Sequence, residues 1–447
     1  MKRLVVPLLL LAAPLAAQEV NIPYTTFTLG NGLKVIVAED HSTPIAAVNV
    51  WYHVGSGYER PGRTGFAHLF EHVMFMGSGH VAQGRFDQLL EGAGGDNNGS
   101  TTTDRTNYYE NVPSNAVPLA LWLEADRMGT LLDSLTQGKL DTQRDVVKNE
   151  RRQRYENQPY GLMWETAYDA LYPEGHPYHW TTIGSMADLS AASLEDVKGF
   201  FRTYYTPNNA VLTVAGDVNA ADVRRWAEQY FGWIPRGPAV SKPSVPVPAI
   251  PATRYITRED RVTLPQVAMI WRGGPRFSRD DAALDALSQI LTGGKSSRLY
   301  KRLVYEQQVA ATTTAFNDAN LISGDFWVII RGKPGTQLDA METAVNEEIA
   351  KLAATPPTAE ELQRVVNGLE TSFVAGLETV ENKADRLNDY EYFTGDPGFA
   401  ARDLARYRAL TPADVQRVAR EYLQGKNRIV LSFVPQGHTE LAATEAH

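Results

Sequence analysis

An α+β fold built from two homologous halves, each a mostly antiparallel sheet with helices gathered on one face, is what this sequence predicts, on three observations. A helix–loop–strand pattern occurs twice, as SLEDVKGFFRTYYTPNNAVLTVAGDV near the middle and TPADVQRVAREYLQGKNRIVLSFVPQG near the end, with Val197/Val415, Tyr204/Tyr422 and Asn209/Asn427 each 218 residues apart. Six prolines between Pro235 and Pro251 separate the two occurrences and forbid a regular helix there. Each half also opens on apolar or alternating strands (LKVIVAED and PIAAVNVWYHV; QVAMIWRGG) before long helical stretches, an order that favours sheet and helices in separate layers.

Taken in chain order, residues 1–17 (MKRLVVPLLLLAAPLAA) carry Lys2 and Arg3, an apolar run and then small residues, the layout of a secretory signal. Export and a periplasmic location are expected, with cleavage near Ala17. No segment offers the ~20 apolar residues of a membrane span, so no stable membrane anchor is expected. Residues 19–234 form the first half, 235–252 a stiff proline-rich connector and 253–447 the second half. The chain has no cysteine, which excludes disulfides, thiolate metal sites and cysteine nucleophiles. A net charge of -9 with no basic cluster argues against nucleic-acid binding.

The segment GRTGFAHLFEHVMF, residues 62–75, has its apolar residues at helical spacing. On a helix His68 and His72 are i and i+4, and Glu71 shares their face. Two imidazoles so placed can reach one zinc ion, leaving the neighbouring carboxylate free to act on water. Carrying the 218-residue offset onto this motif gives Ala286, Gln289 and Ile290, so only the first half has the chemistry. A catalytic zinc needs a third ligand, which must be His, Asp or Glu here. In LDTQRDVVKNERRQRYENQPYG, Glu150 follows Val147 and Val146 by three and four residues, on the stripe expected to face the core, with Arg151, Arg152 and Arg154 free to turn outward. A carboxylate there either binds metal or bridges to one of those arginines. His176 and His179 flank Pro177, which denies them a shared helical face, and they read as structural.

The H-x-x-E-H order, the distal glutamate in VVKNERRQ, the GGDNNGST loop and the two homologous halves together resemble the pitrilysin/insulinase family of zinc peptidases, and within it the short-chain bacterial members similar to the mitochondrial processing peptidase β subunit. The resemblance spans essentially the whole mature chain. It implies that His68, His72 and Glu150 bind one zinc ion and that Glu71 is the general base. It also implies that Asn98 and, more weakly, Tyr108, both within GAGGDNNGSTTTDRTNYYENVP, contact substrate. Apart from the family, that stretch reads as a turn leading into an edge strand able to receive an extended peptide. Some relatives carry a second glutamate one helical repeat before the third ligand, where this chain has Gln143.

In longer relatives the second half supplies an arginine and a tyrosine seven residues apart. Counted from GGKSSRLYKRLVYEQQVAA, residues 293–311, those positions are Val304 and Ala311. Arg298 and Tyr305 have the same spacing but belong to an earlier helix face. With export read from residues 1–17, the resemblance implies an exported zinc endopeptidase of oligopeptides or short unfolded proteins. It would work in an enclosed chamber as the catalytic subunit of a heterodimer whose partner brings the Arg/Tyr pair; self-association is a further expectation. The competing reading is a non-catalytic scaffold or binding subunit.

Overall fold

The computed structural model describes residues 20–445, so the expected signal segment lies outside the described residues. Two sheets are present. The first has the strands β1 (Thr25–Thr28), β2 (Lys34–Glu39), β3 (Ile45–Tyr52), β4 (Asp96–Thr101), β5 (Thr106–Pro113) and β6 (Ala210–Gly216), in the order β1-β2-β6-β3-β5-β4. The second has β7 (Arg254–Asp260), β8 (Gln266–Gly273), β9 (Ala310–Ala319), β10 (Gly324–Gly332) and β11 (Ile429–Pro435), in the order β7-β11-β8-β10-β9. Without β1 the first order is β2-β6-β3-β5-β4, strand for strand that of the second. In each sheet one neighbouring pair is parallel, β2 with β6 and β7 with β11; the rest are antiparallel.

The repeat seen in the sequence is structural. Ser193 and Thr411, again 218 apart, each close a capping box, with Asp196 and Asp414 respectively, at the start of equivalent helices. The segment between Ile234 and Thr253 has no helix or strand, as its prolines require.

Helices of each half cover one face of its sheet, as expected. The other face is covered by a helix from the opposite half. Helix Val380–Thr394 of the second half lays Val380, Ala384 and Leu387 on Ile36, Ala47, Val211 and Ala215 of the first sheet. Helix Met163–Leu171 of the first half lays Met163, Ala167 and Leu171 on Ala268, Ile270, Ile429 and Leu431 of the second. This exchange explains why β6 (AVLTVAG) is buried along its whole length instead of alternating: a strand covered on both faces has no wet side. It also joins the halves through polar bonds, including one of 2.6 Å from the Thr213 hydroxyl to Asn388 Oδ1. Among the described residues no helix is long and apolar enough to cross a membrane.

Candidate metal centre

Helix Phe66–Val73 turns Phe66, Leu69, Phe70 and Val73 into the core and leaves His68, Glu71 and His72 on its less buried side. Its first turn is anchored by the buried carboxylate of Glu59, which accepts from the Gly65 and Ala67 amides at 2.9 and 2.8 Å. The unsatisfied amides at that end favour a carboxylate, but burial outweighs them and pushes the Glu59 pKa up to about 8. The preceding Gly65 has φ 85°, a left-handed backbone that suits glycine.

Helix Gln137–Arg151, capped by the Thr136 hydroxyl, lies against this helix and continues into a wider π turn over Arg152–Glu156. Glu150 Oε2 sits 3.2 Å from His72 Nε2 and 3.7 Å from His68 Nε2. One ligand atom from each of the three residues falls within 4.8 Å of the others, the one such cluster of three or more among the described residues. Nitrogens and oxygens bound to one tetrahedral zinc at about 2.0–2.2 Å stand roughly 3.3–3.5 Å apart, so this donor set fits the ion with small adjustment. Burial pulls the His68 imidazole down to about 4, keeping it neutral as a ligand must be. The hydrogen bond with His72 is the main cause holding Glu150 below the usual carboxylate range.

Glu71 is not part of the cluster. Its Oε2 accepts a 2.6 Å hydrogen bond from the Thr101 hydroxyl, at the end of β4, and burial raises its pKa. Gly99 of β4 packs so close that a Cβ there would stand 3.2 Å from Glu71 Cγ. Asn98, Gly99, Ser100, Thr101, Arg154 and Thr182 complete a cavity of about 450 Å³ around the four residues. β4 is the free edge of its sheet, as the sequence suggested.

Several expectations require correction. Tyr108 does not face the cavity: it is 0% exposed on β5, with its ring against Tyr52 and the Arg127 guanidinium, because its place in the β3–β5–β4 register turns it into the core. Asn98 does line the cavity, its Oδ1 accepting from the Gly99 amide. On the Glu150 helix, Val147 is buried but Val146 is exposed, so the inward stripe is narrower than expected. Arg151 does not turn outward; it is buried, donating to Gly184 O and pairing with Glu165 at 2.6 Å. Arg154 bridges to Glu150 Oε1 at 2.8 Å, so the carboxylate faces arginine and histidines at once.

Gln143 donates to the Met76 sulfur and carries no charge toward the site. His176 stacks on Tyr172, and His179 lies 2.8 Å from the Tyr172 carbonyl oxygen; neither joins a metal cluster. In the second half the positions equivalent to His68 and His72 are the buried Ala286 and Ile290 of helix Asp281–Thr292. Val304 packs against that half's core, Ala311 is exposed on β9, and Arg298 is engaged with Glu361 at 3.0 and 3.1 Å. Thr101 and Glu59 were missed by sequence reasoning. Nothing local distinguishes Thr101 from its threonine neighbours, because strand pairing decides which one meets Glu71.

With this geometry in place, similarity to known proteins becomes specific. Residues 34–174 match the family described as Insulinase (Peptidase family M16), and residues 191–369 match the Peptidase M16 inactive domain. Zinc protease PqqE of Helicobacter pylori is 31% identical, the alignment covering 96% of this chain and 96% of that protein. This chain belongs to peptidase family M16. Its M16 relatives also include the mitochondrial-processing peptidase subunit beta of Blastocladiella emersonii, 24% identical over 93% of this chain and 90% of that one. The crystal structure of a protease from Helicobacter pylori superimposes with a TM-score of 0.87 at 30% identity, covering 93% of this chain and all of that one. The M16 match to the first half contains His68, Glu71, His72 and Glu150 together.

Proposed function

We propose that the chain is an exported zinc endopeptidase that cleaves extended oligopeptides or short unfolded proteins. The observation that carries the reading is the convergence of His68, His72 and Glu150 on one point, with Glu71 beside them yet bonded to Thr101 instead of joining the donors. When bound there, zinc supplies Lewis-acid chemistry, lowering the pKa of water and polarising a carbonyl. The residues of the chain do the rest. Glu71 takes a proton from the attacking water and later delivers it to the leaving amine. The free edge of β4 receives the substrate as an added strand, main chain to main chain, with Asn98 beside the scissile bond. That mode demands an extended peptide, so folded proteins are spared. Export to the periplasm rests on residues 1–17 alone.

The partner follows from what the second half lacks. With Val304 and Ala311 where an Arg/Tyr pair would stand, the chain closes with a similar two-copy subunit that supplies those donors to the intermediate's oxyanion. The same absence favours a second reading, a non-catalytic binding subunit. The purified chain, loaded with zinc and given an internally quenched peptide, separates the two. Cleavage that is lost to a chelator and restored by zinc supports the peptidase. A chain that binds no zinc, or binds it and cleaves nothing with or without a homologous subunit, supports the scaffold.

A further inference from the structure

The turn between β4 and β5, residues 102–105, meets the turn between β9 and β10, residues 320–323. These are equivalent hairpins of the two halves, docked turn to turn. Asp104 makes the junction. It is 3% exposed; its Oδ2 accepts from the Leu321 amide at 2.8 Å and its Oδ1 from the Tyr178 hydroxyl at 2.8 Å. The Tyr178 oxygen in turn accepts from the Ile322 amide at 2.9 Å. The Tyr392 hydroxyl, on the exchanged helix, donates to the Asp104 carbonyl oxygen at 3.0 Å. The first half grips the same turn from behind, where the Ser56 and Gly57 amides donate to the Thr102 and Thr103 oxygens at 3.1 and 2.7 Å. A Cβ on Gly55 would collide with the Thr102 carbonyl oxygen, so the strap sits tight against the turn. Thr101, the residue that holds Glu71, is the last residue of β4 and directly precedes this turn.

We propose that Asp104 and Tyr178 are positioning residues for the reaction: by docking the β4–β5 turn on the second half they fix Thr101, and through it the Glu71 carboxylate. The half without metal chemistry thus sets the geometry of the half that has it. A buried carboxylate with two donors, one from the second half and one a tyrosine itself bonded to that half, is costly to leave half-satisfied, which keeps the turn in one place. The proposal rests on the peptidase reading for its kinetic consequence but not for its structural one.

The test uses the full chain loaded with zinc, with Tyr178→Phe as the main variant and Asp104→Asn as the second should the first fold poorly. Tyr178→Phe removes both hydrogen bonds of that hydroxyl and is expected to lower kcat about 10-fold with KM unchanged and one zinc retained, since only part of their loss is felt at the transition state. In a Thr101→Val background the same change is expected to have no further effect on kcat, because the path it acts through is already cut. Hydrogen exchange of the β4 and β5 amides should rise in Tyr178→Phe while the helix Phe66–Val73 stays protected. Additive losses in the double variant, or unchanged exchange in β4 and β5, would overturn the proposal. Raised exchange in a zinc-loaded chain that cleaves no peptide even as wild type would leave the docking standing and refute the peptidase reading instead.

Discussion

The Thr101 hydroxyl donates to Glu71 Oε2 at 2.6 Å, so the residue assigned as general base is held by an edge strand and not by its own helix. Thr101→Val keeps the shape and removes the donor. The expected result is a kcat loss of about 10-fold with zinc content unchanged, read by peptide turnover and metal analysis on one preparation. Lost zinc would mean that Thr101 supports the metal donors instead.

Arg154 pairs with Glu150 Oε1 at 2.8 Å, while Oε2 of the same carboxylate stands 3.2 Å from His72 Nε2. It orients the carboxylate so that Oε2 faces the histidines. Arg154→Ala should weaken zinc binding by about 10-fold, as loss of a group orienting a ligand does elsewhere. Competition with a chelating dye measures it, and thermal unfolding of the metal-free variant should match wild type, since Arg154 is 74% exposed.

The exchanged helices predict that the two halves unfold together. Leu387 of the second half is fully buried on the first sheet. Leu387→Ala should cost roughly 2–5 kcal/mol in chemical denaturation and leave a single transition. Two separated transitions would show that the halves are independent.

The second half predicts a kinetic deficit in the chain alone. Mixing it with a homologous subunit that lacks H-x-x-E-H but carries an arginine and a tyrosine seven residues apart should raise turnover by about 10²–10³, the contribution of oxyanion donors. Substituting the partner's tyrosine should abolish the gain. Equal turnover with and without such a subunit would place the donors within this chain.

Much of this was legible in the sequence because it is written in local periodicity. The i, i+4 spacing of His68 and His72 needs only a helix, and the helix–loop–strand pattern that recurs 218 residues on needs only two short stretches to be compared. Glu150 was legible as an acidic residue on a helix face, although Val146 proved exposed and Arg151 buried, since a helix tucked between neighbours has no simple outside. Tyr108 was misplaced because strand register, which a sequence does not state, decides the face of every residue on β5. The helix exchange was invisible for a related reason. Helices Met163–Leu171 and Val380–Thr394 carry ordinary apolar stripes, and nothing in a stripe names the sheet it will cover.

The central claim is that His68, His72 and Glu150 hold the metal while Glu71 acts on water. Zinc stoichiometry and peptide turnover, measured side by side on wild type, Glu71→Gln and Glu150→Gln, test it most directly. The account predicts one zinc per chain in wild type and in Glu71→Gln, with turnover lost in the latter, and no zinc in Glu150→Gln. A Glu71→Gln chain without zinc, or a Glu150→Gln chain that keeps it, would contradict these assignments.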